Sequence, residues 1–182
     1  MSIYKGRPLN CDGRLDKEIR VYDLLDRLGI EYYRVDHSPA RKMEVCKAID
    51  EELGIVICKN LFLCNRQKTK FYLLMMPADK PYRTKTFSKL ANSSRLSFGT
   101  PEDMERLLDV TPGSVSIMGL MNDKNCEVNL YIDKDVLGSD YIGCHPCINT
   151  SSIRMKTTDI IDTFLPEVQH TYTVAKLPYE FE

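Results

Sequence analysis

Two apolar runs, residues 60–64 and 71–76, stand six residues apart, and no other feature limits the possible folds of this chain as strongly. The connector, Asn65-Arg66-Gln67-Lys68-Thr69-Lys70, is polar and short. Parallel strands need a crossover of about a dozen residues or more, so the two runs are expected to return on each other as an antiparallel hairpin.

The rest of the chain alternates helix and strand around that hairpin. Leu15, Ile19, Tyr22, Leu25 and Leu28 recur at helical spacing, and Gly29 is placed to end the helix. Residues 30–35 read as a strand, 43–53 as a helix stopped at Gly54, and 84–90 as a short basic helix. Thr100-Pro101 followed by Glu102, Asp103 and Glu105 supplies an N-cap, a first-turn proline and acids at the positive end of the dipole. That helix is expected to run to Leu108. Thr111-Pro112-Gly113 is a turn leading into the apolar run 115–120. Residues 127–133, 141–144 and 153–155 look like strands. A last amphipathic helix opens at Thr157 or Thr158 and halts at Pro166, and residues 172–175 read as a terminal strand. Hairpins mixed with helices predict an α+β fold: a single domain, with a core of about 15–177, built on a mixed, mostly antiparallel sheet flanked by helices.

Composition narrows the class. At 182 residues, 43% hydrophobic and 28% charged, the chain reads as an ordinary soluble domain. No stretch approaches the roughly 20 apolar residues of a membrane span, and the N-terminus has no signal-peptide core, so a cytoplasmic protein is expected. Seven cysteines are then most simply reduced thiols. Charge is uneven. Residues 41–89 carry eleven Lys/Arg and five acids, a balance of +6, which leaves −7 elsewhere. A basic centre on an acidic protein suits a polyanion, although solvated faces would give the same count.

Two places hold polar groups that a plain strand does not need. Lys59-Asn60 opens the first hairpin strand. The lysine could snorkel to water, or it could offer charge and donors to a phosphate or a developing oxyanion. The second place is Gly143-Cys144-His145-Pro146-Cys147-Ile148-Asn149-Thr150. Proline there would kink a strand, and an imidazole and an amide on a kinked strand read as a pocket wall, although His145 could also be a satisfied core histidine. Cys144 and Cys147 have CxxC spacing. A thioredoxin-type centre needs a following helix, which the strand-like residues 148–155 do not predict. A zinc site lacks further ligands. Structural thiols, no metal and no cofactor are expected.

These places belong to a pattern. Lys59-Asn60-Leu61-Phe62-Leu63 resembles the KNLFL segment of the YbaK-like aminoacyl-tRNA deacylases, relatives of the editing domain of bacterial prolyl-tRNA synthetases. Thr111-Pro112-Gly113-Ser114-Val115-Ser116 resembles that family's proline–glycine loop, and His145-Pro146-Cys147-Ile148-Asn149-Thr150 its HPxxNT signature. The order and separation of these segments also agree over about residues 15–177, and the likeness is nearest to the freestanding PrdX/ProX alanyl-tRNA(Pro) deacylases.

The resemblance implies hydrolysis of the ester joining a mischarged amino acid to the terminal adenosine of a tRNA. On that footing Lys59 holds the carbonyl or a phosphate, and His145 contacts substrate, ribose or water. Asn60 orients the substrate, and Gly113, Ser114, Val115 and Ser116 offer backbone donors. Gly143, Asn149 and Thr150 complete the substrate-binding set. Lys68, Lys70, Arg83, Lys85 and Lys89 are the candidate RNA contacts. The implied partners are the acceptor end of tRNA(Pro) and, transiently, prolyl-tRNA synthetase. Many relatives carry a second proline where this chain has Ile117, so alanine, cysteine and serine all stay open as substrates. A non-catalytic tRNA-binding module and a CxxC redox protein are the competing readings.

Overall fold

The computed structural model describes residues 1–39 and 43–180. The first half runs β1 (Ile3–Lys5), α1 (Asp16–Arg27), β2 (Tyr32–Asp36), α2 (Met43–Leu53), β3 (Lys59–Cys64), β4 (Phe71–Met76), α3 (Thr84–Leu90) and β5 (Ser97–Phe98). Next come α4 (Pro101–Leu108), a 3-10 helix (Ile117–Asn122), β6 (Val128–Asp133), α5 (Lys134–Leu137), β7 (Tyr141–Cys144) and β8 (Ser151–Lys156). A final helix combines α6 (Thr157–Asp159), a π turn (Ile160–Phe164) and α7 (Leu165–Glu167), and β9 (Tyr172–Ala175) closes the chain.

The class is α+β, as expected, but the strands divide between two sheets rather than sharing one. The first, ordered β1-β2-β8-β7, is antiparallel throughout. The second, ordered β5-β3-β4-β6-β9, is antiparallel through the hairpin and parallel from β4 to β6 to β9. Central β4 is buried along its whole length, which explains its unbroken apolar sequence.

The main core fills the space between the sheets. Phe62, Leu73, Met75, Leu130 and Ile132 face Tyr32, Ile142, Cys144, Ile153 and Met155 there, with Tyr22 and Leu25 of α1 and Phe164 of the final helix. Behind the second sheet, Leu63, Leu74 and Met76 pack on Phe87 of α3. On the outer side of the first sheet, Val35 packs on Ile49 and Leu53 of α2.

Local signals act as the sequence suggests. Gly29 and Gly54 end α1 and α2 at φ +68° and +67°, a region glycine enters without steric cost. The Thr100 hydroxyl accepts from the Asp103 N–H at 3.2 Å and caps α4. One expectation needs correction. Residues 145–150 are a loop joining paired strands β7 and β8, not a kinked strand. The last helix passes Pro166 by a single residue and ends at Glu167, with a π turn just before the proline, whose missing N–H falls in the first turn of α7.

Candidate active site

The HPxxNT loop is held open from three sides. Its first anchor is Ser116, which caps the 3-10 helix by accepting from the Met118 N–H at 3.1 Å and donates to the His145 carbonyl at 2.6 Å. One buried hydroxyl therefore ties the proline–glycine loop to the His-Pro loop. Gly113 lies beside the Asn149 amide, since a Cβ on it would sit 3.8 Å from Nδ2. The second anchor is β2, whose ladder extends past its end: the His37 N–H donates to the Thr150 carbonyl at 3.0 Å.

The third anchor is the segment leading from α2 into β3. Ile55 and Ile57 cover Gly143 so closely that a Cβ there would fall 2.5 Å from Ile55 Cδ1. Gly143 thus serves close approach of the two segments. Its carbonyl accepts from the Cys58 thiol at 3.7 Å. Lys59 follows Cys58 directly and opens β3.

Side-chain direction separates Lys59 from Asn60. Alternation along β3 puts Asn60, opposite Met75, on the face of the main core with Phe62, and Lys59, opposite Met76, on the face of Leu61 and Leu63. The Asn60 Nδ2 donates to the Cys58 carbonyl at 3.3 Å, and its Oδ1 is buried with no partner among the described residues. An unpaired buried acceptor is costly unless a ligand or water donates to it. Lys59 is half-buried, and its ammonium has no hydrogen bond or ion pair among the described residues.

His145 has a defined protonation pattern. Its Nδ1 lies 2.9 Å from the Ser151 carbonyl, which can only accept, so Nδ1 carries the hydrogen and Nε2 keeps its lone pair. Burial lowers the His145 pKa, the Ser151 carbonyl pushes the other way, and nearby His37 lowers it further. The ring is neutral at pH 7.

Ser114 departs from expectation. Its N–H already donates to the Thr111 carbonyl at 2.9 Å, and its hydroxyl accepts from the Thr111 N–H at 3.0 Å. It is fully buried and locks the turn, so the loop donors narrow to Gly113, Val115 and Ser116, whose N–H groups have no acceptor among the described residues.

The cysteine pair lacks the setting of an activated redox centre. Cys144 and Cys147 are fully buried free thiols, and no helix starts after Cys147. Burial pushes the Cys147 thiol up to about 12 and the Cys144 thiol up as well, the reverse of an activated pair. Among the described residues no group of three or more His, Cys, Asp or Glu side chains could hold a metal ion.

The basic candidates fall into two groups. Lys68 and Lys70 sit at the hairpin turn, the far end of β3 from Lys59, and Lys68 is paired with Asp103 at 3.2 Å. Lys85 and Lys89, one turn apart on α3, line a depression of about 670 Å³ with Arg95, Ser88 and Asn92. Arg83 is exposed and precedes α3. Lys80, counted in the basic balance, is buried and ion-paired with Asp133 and Asp135, and Arg41 and Lys42 lie outside the described residues.

Sequence reasoning missed His37 and Arg95. His37 follows β2 in Asp36-His37-Ser38-Pro39, and a polar residue ahead of Ser-Pro at a strand end was its only signal.

Comparison with known proteins decides the family. A family model described as the aminoacyl-tRNA editing domain matches residues 37–163. The chain belongs to this family. Prolyl-tRNA editing protein ProX of Acetoanaerobium sticklandii is 31% identical over 146 residues, 80% of this chain and 89% of ProX. Prolyl-tRNA synthetase associated domain-containing protein 1 of Danio rerio is 28% identical over 159 residues, 86% of this chain and 84% of the relative. A solved structure described as a candidate trans-editing enzyme for prolyl tRNA synthetase superposes with TM-score 0.67 at 18% identity, covering 90% of this chain and 97% of that one, and so shares the fold. The editing-domain protein is an aminoacyl-tRNA deacylase, with tRNA as its substrate partner. Among the described residues no helix is long and apolar enough to cross a membrane.

Proposed function

We propose that this editing-domain protein works in trans in the cytoplasm on mischarged tRNA(Pro), cleaving Ala-tRNA(Pro) to free alanine and tRNA. The Ser116–His145 link supports this reading most directly, because it joins a loop with unused N–H donors to a neutral imidazole. The aminoacyl ester is already activated, so catalysis needs a placed water and stabilised charge. Water attacks the ester carbon, negative charge builds on the carbonyl oxygen, and the bond to the ribose oxygen breaks as that oxygen takes a proton.

His145 Nε2 accepts a hydrogen bond from the attacking water or the ribose hydroxyl. Lys59, which opens β3 on the face opposite Asn60, supplies positive charge to the terminal phosphate. The N–H groups of Gly113, Val115 and Ser116 line the oxyanion, and Asn60 Oδ1 accepts from the substrate ammonium. Asn149 and Thr150 shape the wall. Lys85, Lys89 and Arg83 take phosphates of the acceptor end, with Lys68 and Lys70 as outer contacts, and prolyl-tRNA synthetase is a transient neighbour at most.

A steric sieve sets specificity, since binding alone separates one methylene by only about 1–3 kcal/mol. The test incubates the protein with Ala-, Cys- and Pro-tRNA(Pro), beside Lys59→Ala and His145→Ala. The alanyl ester is lost fastest, the prolyl ester survives, and Lys59→Ala removes most turnover. Equal cleavage of all three esters would refute the sieve.

A further inference from the structure

His37, Ser152 and His145 form a continuous polar chain on the outer face of the first sheet. The His37 Nδ1 lies 2.8 Å from the Ser38 carbonyl, its Nε2 lies 2.9 Å from the Ser152 hydroxyl, and that hydroxyl lies 3.3 Å from His145 Nδ1. The two rings are 6.2 Å apart. Ser152 is buried, and His37 and His145 are half-buried.

We propose that His37 is a positioning residue which, by accepting a hydrogen bond from the Ser152 hydroxyl, keeps His145 in one tautomer with Nε2 as its acceptor. Carbonyls anchor both ends of the chain, and carbonyls only accept. His37 therefore donates from Nδ1 to Ser38 and accepts at Nε2. The Ser152 hydroxyl must then donate to His37, which leaves its oxygen free to accept from His145 Nδ1–H. Reversing the direction would set the His37 Nδ1 lone pair against the Ser38 carbonyl at 2.8 Å and the His145 Nδ1 lone pair against the Ser151 carbonyl at 2.9 Å. Only one direction satisfies every group.

Without His37 the Ser152 hydroxyl is free to donate to His145 Nδ1. That hydrogen bond competes with Ser151 for the ring and favours the other tautomer, whose Nε2 carries a hydrogen. Such a ring cannot accept from water or ribose. The inference rests on the reading of His145 as the group that faces the ester.

The test combines long-range 1H–15N spectra of the histidine rings with deacylation kinetics on the intact chain. The unmodified protein shows His145 as the single Nδ1–H tautomer. His37→Ala mixes the tautomers and lowers kcat by roughly tenfold at unchanged KM, the low end of the loss from removing an outer partner of a functional histidine. His37→Gln, whose carbonyl can accept from Ser152, restores both. The double variant His37→Ala with Ser152→Ala also recovers the Nδ1–H tautomer, because the competing hydroxyl is gone, so the effects are non-additive. A single unchanged tautomer in His37→Ala overturns the proposal, as does a double variant worse than either single one. If the unmodified protein cleaves no aminoacyl ester, the proposed function fails while the spectra still decide the role of His37.

Discussion

Replacing Ser116 by alanine tests the joint between the two loops. Its hydroxyl makes two hydrogen bonds at once, accepting from Met118 N–H at 3.1 Å and donating to the His145 carbonyl at 2.6 Å, and the residue is fully buried. Losing the helix cap costs about 1 kcal/mol. Leaving the part-buried His145 carbonyl short of this donor adds about 1–2 kcal/mol. Ser116→Ala should therefore lose about 2–3 kcal/mol and remain folded, given the usual 5–15 kcal/mol of domain stability. Urea unfolding followed by fluorescence gives the stability, and deacylation of Ala-tRNA(Pro) gives the activity. Ser114→Ala is the matched control, because it loses a comparable set of turn hydrogen bonds but leaves the His145 carbonyl bonded. The expected pattern is similar destabilisation in both variants, with a far larger fall in kcat for Ser116→Ala. Equal falls in kcat, or a stability loss below about 0.5 kcal/mol for Ser116→Ala, would show that the link does not organise the site.

Two further outcomes concern the framework. Lys80 donates to Asp133 at 2.9 Å, to Asp135 at 2.7 Å and to the Leu177 carbonyl at 2.9 Å, with no exposed surface of its own. Lys80→Ala strands the buried Asp133 carboxylate and should cost about 3–5 kcal/mol in denaturant titrations, whereas Lys80→Met combined with Asp133→Leu should recover much of it. His170 sits 3.0 Å from Asp123; burial lowers its pKa, but the carboxylate outweighs burial and raises it above the ordinary 6.5. The stability from its proton is complete below the ordinary value and fades as pH rises through the raised one. The gap in urea midpoint between the unmodified protein and His170→Gln should narrow from pH 6 towards pH 9.

Much of the fold could be read locally. The hairpin, the glycine stops at Gly29 and Gly54 and the Thr100 cap depend on neighbours within a few residues, and each formed where its signal lay. What escaped depends on distant partners. Whether strands share a sheet is decided by pairings such as β2 with β8, more than a hundred residues apart, so two sheets looked like one. Strand β1 is exposed at all three residues and β5 has only two, and neither leaves a burial pattern to read.

The same division holds at the site. Lys59, Asn60 and His145 stood out because polar groups broke apolar runs. Lys80 did not, since a buried lysine looks like any surface lysine until Asp133 and Asp135 meet it in space. Ser114 looked like a donor because its own partner, Thr111, lies within the same turn. His37 gained meaning only when β2 paired with β8 and brought it to Ser152.

The parallel arrangement of β4, β6 and β9 has a consequence for biosynthesis. Each of these neighbours is reached by a long excursion of the polypeptide, and such non-local pairing slows assembly. The outermost strand at residues 172–175 and the carbonyl at 177 that receives the Lys80 ammonium leave the ribosome after nearly everything they complete. Until they emerge, one flank of β6 is an open edge, and the nascent chain carries an interior ammonium lacking one of its acceptors.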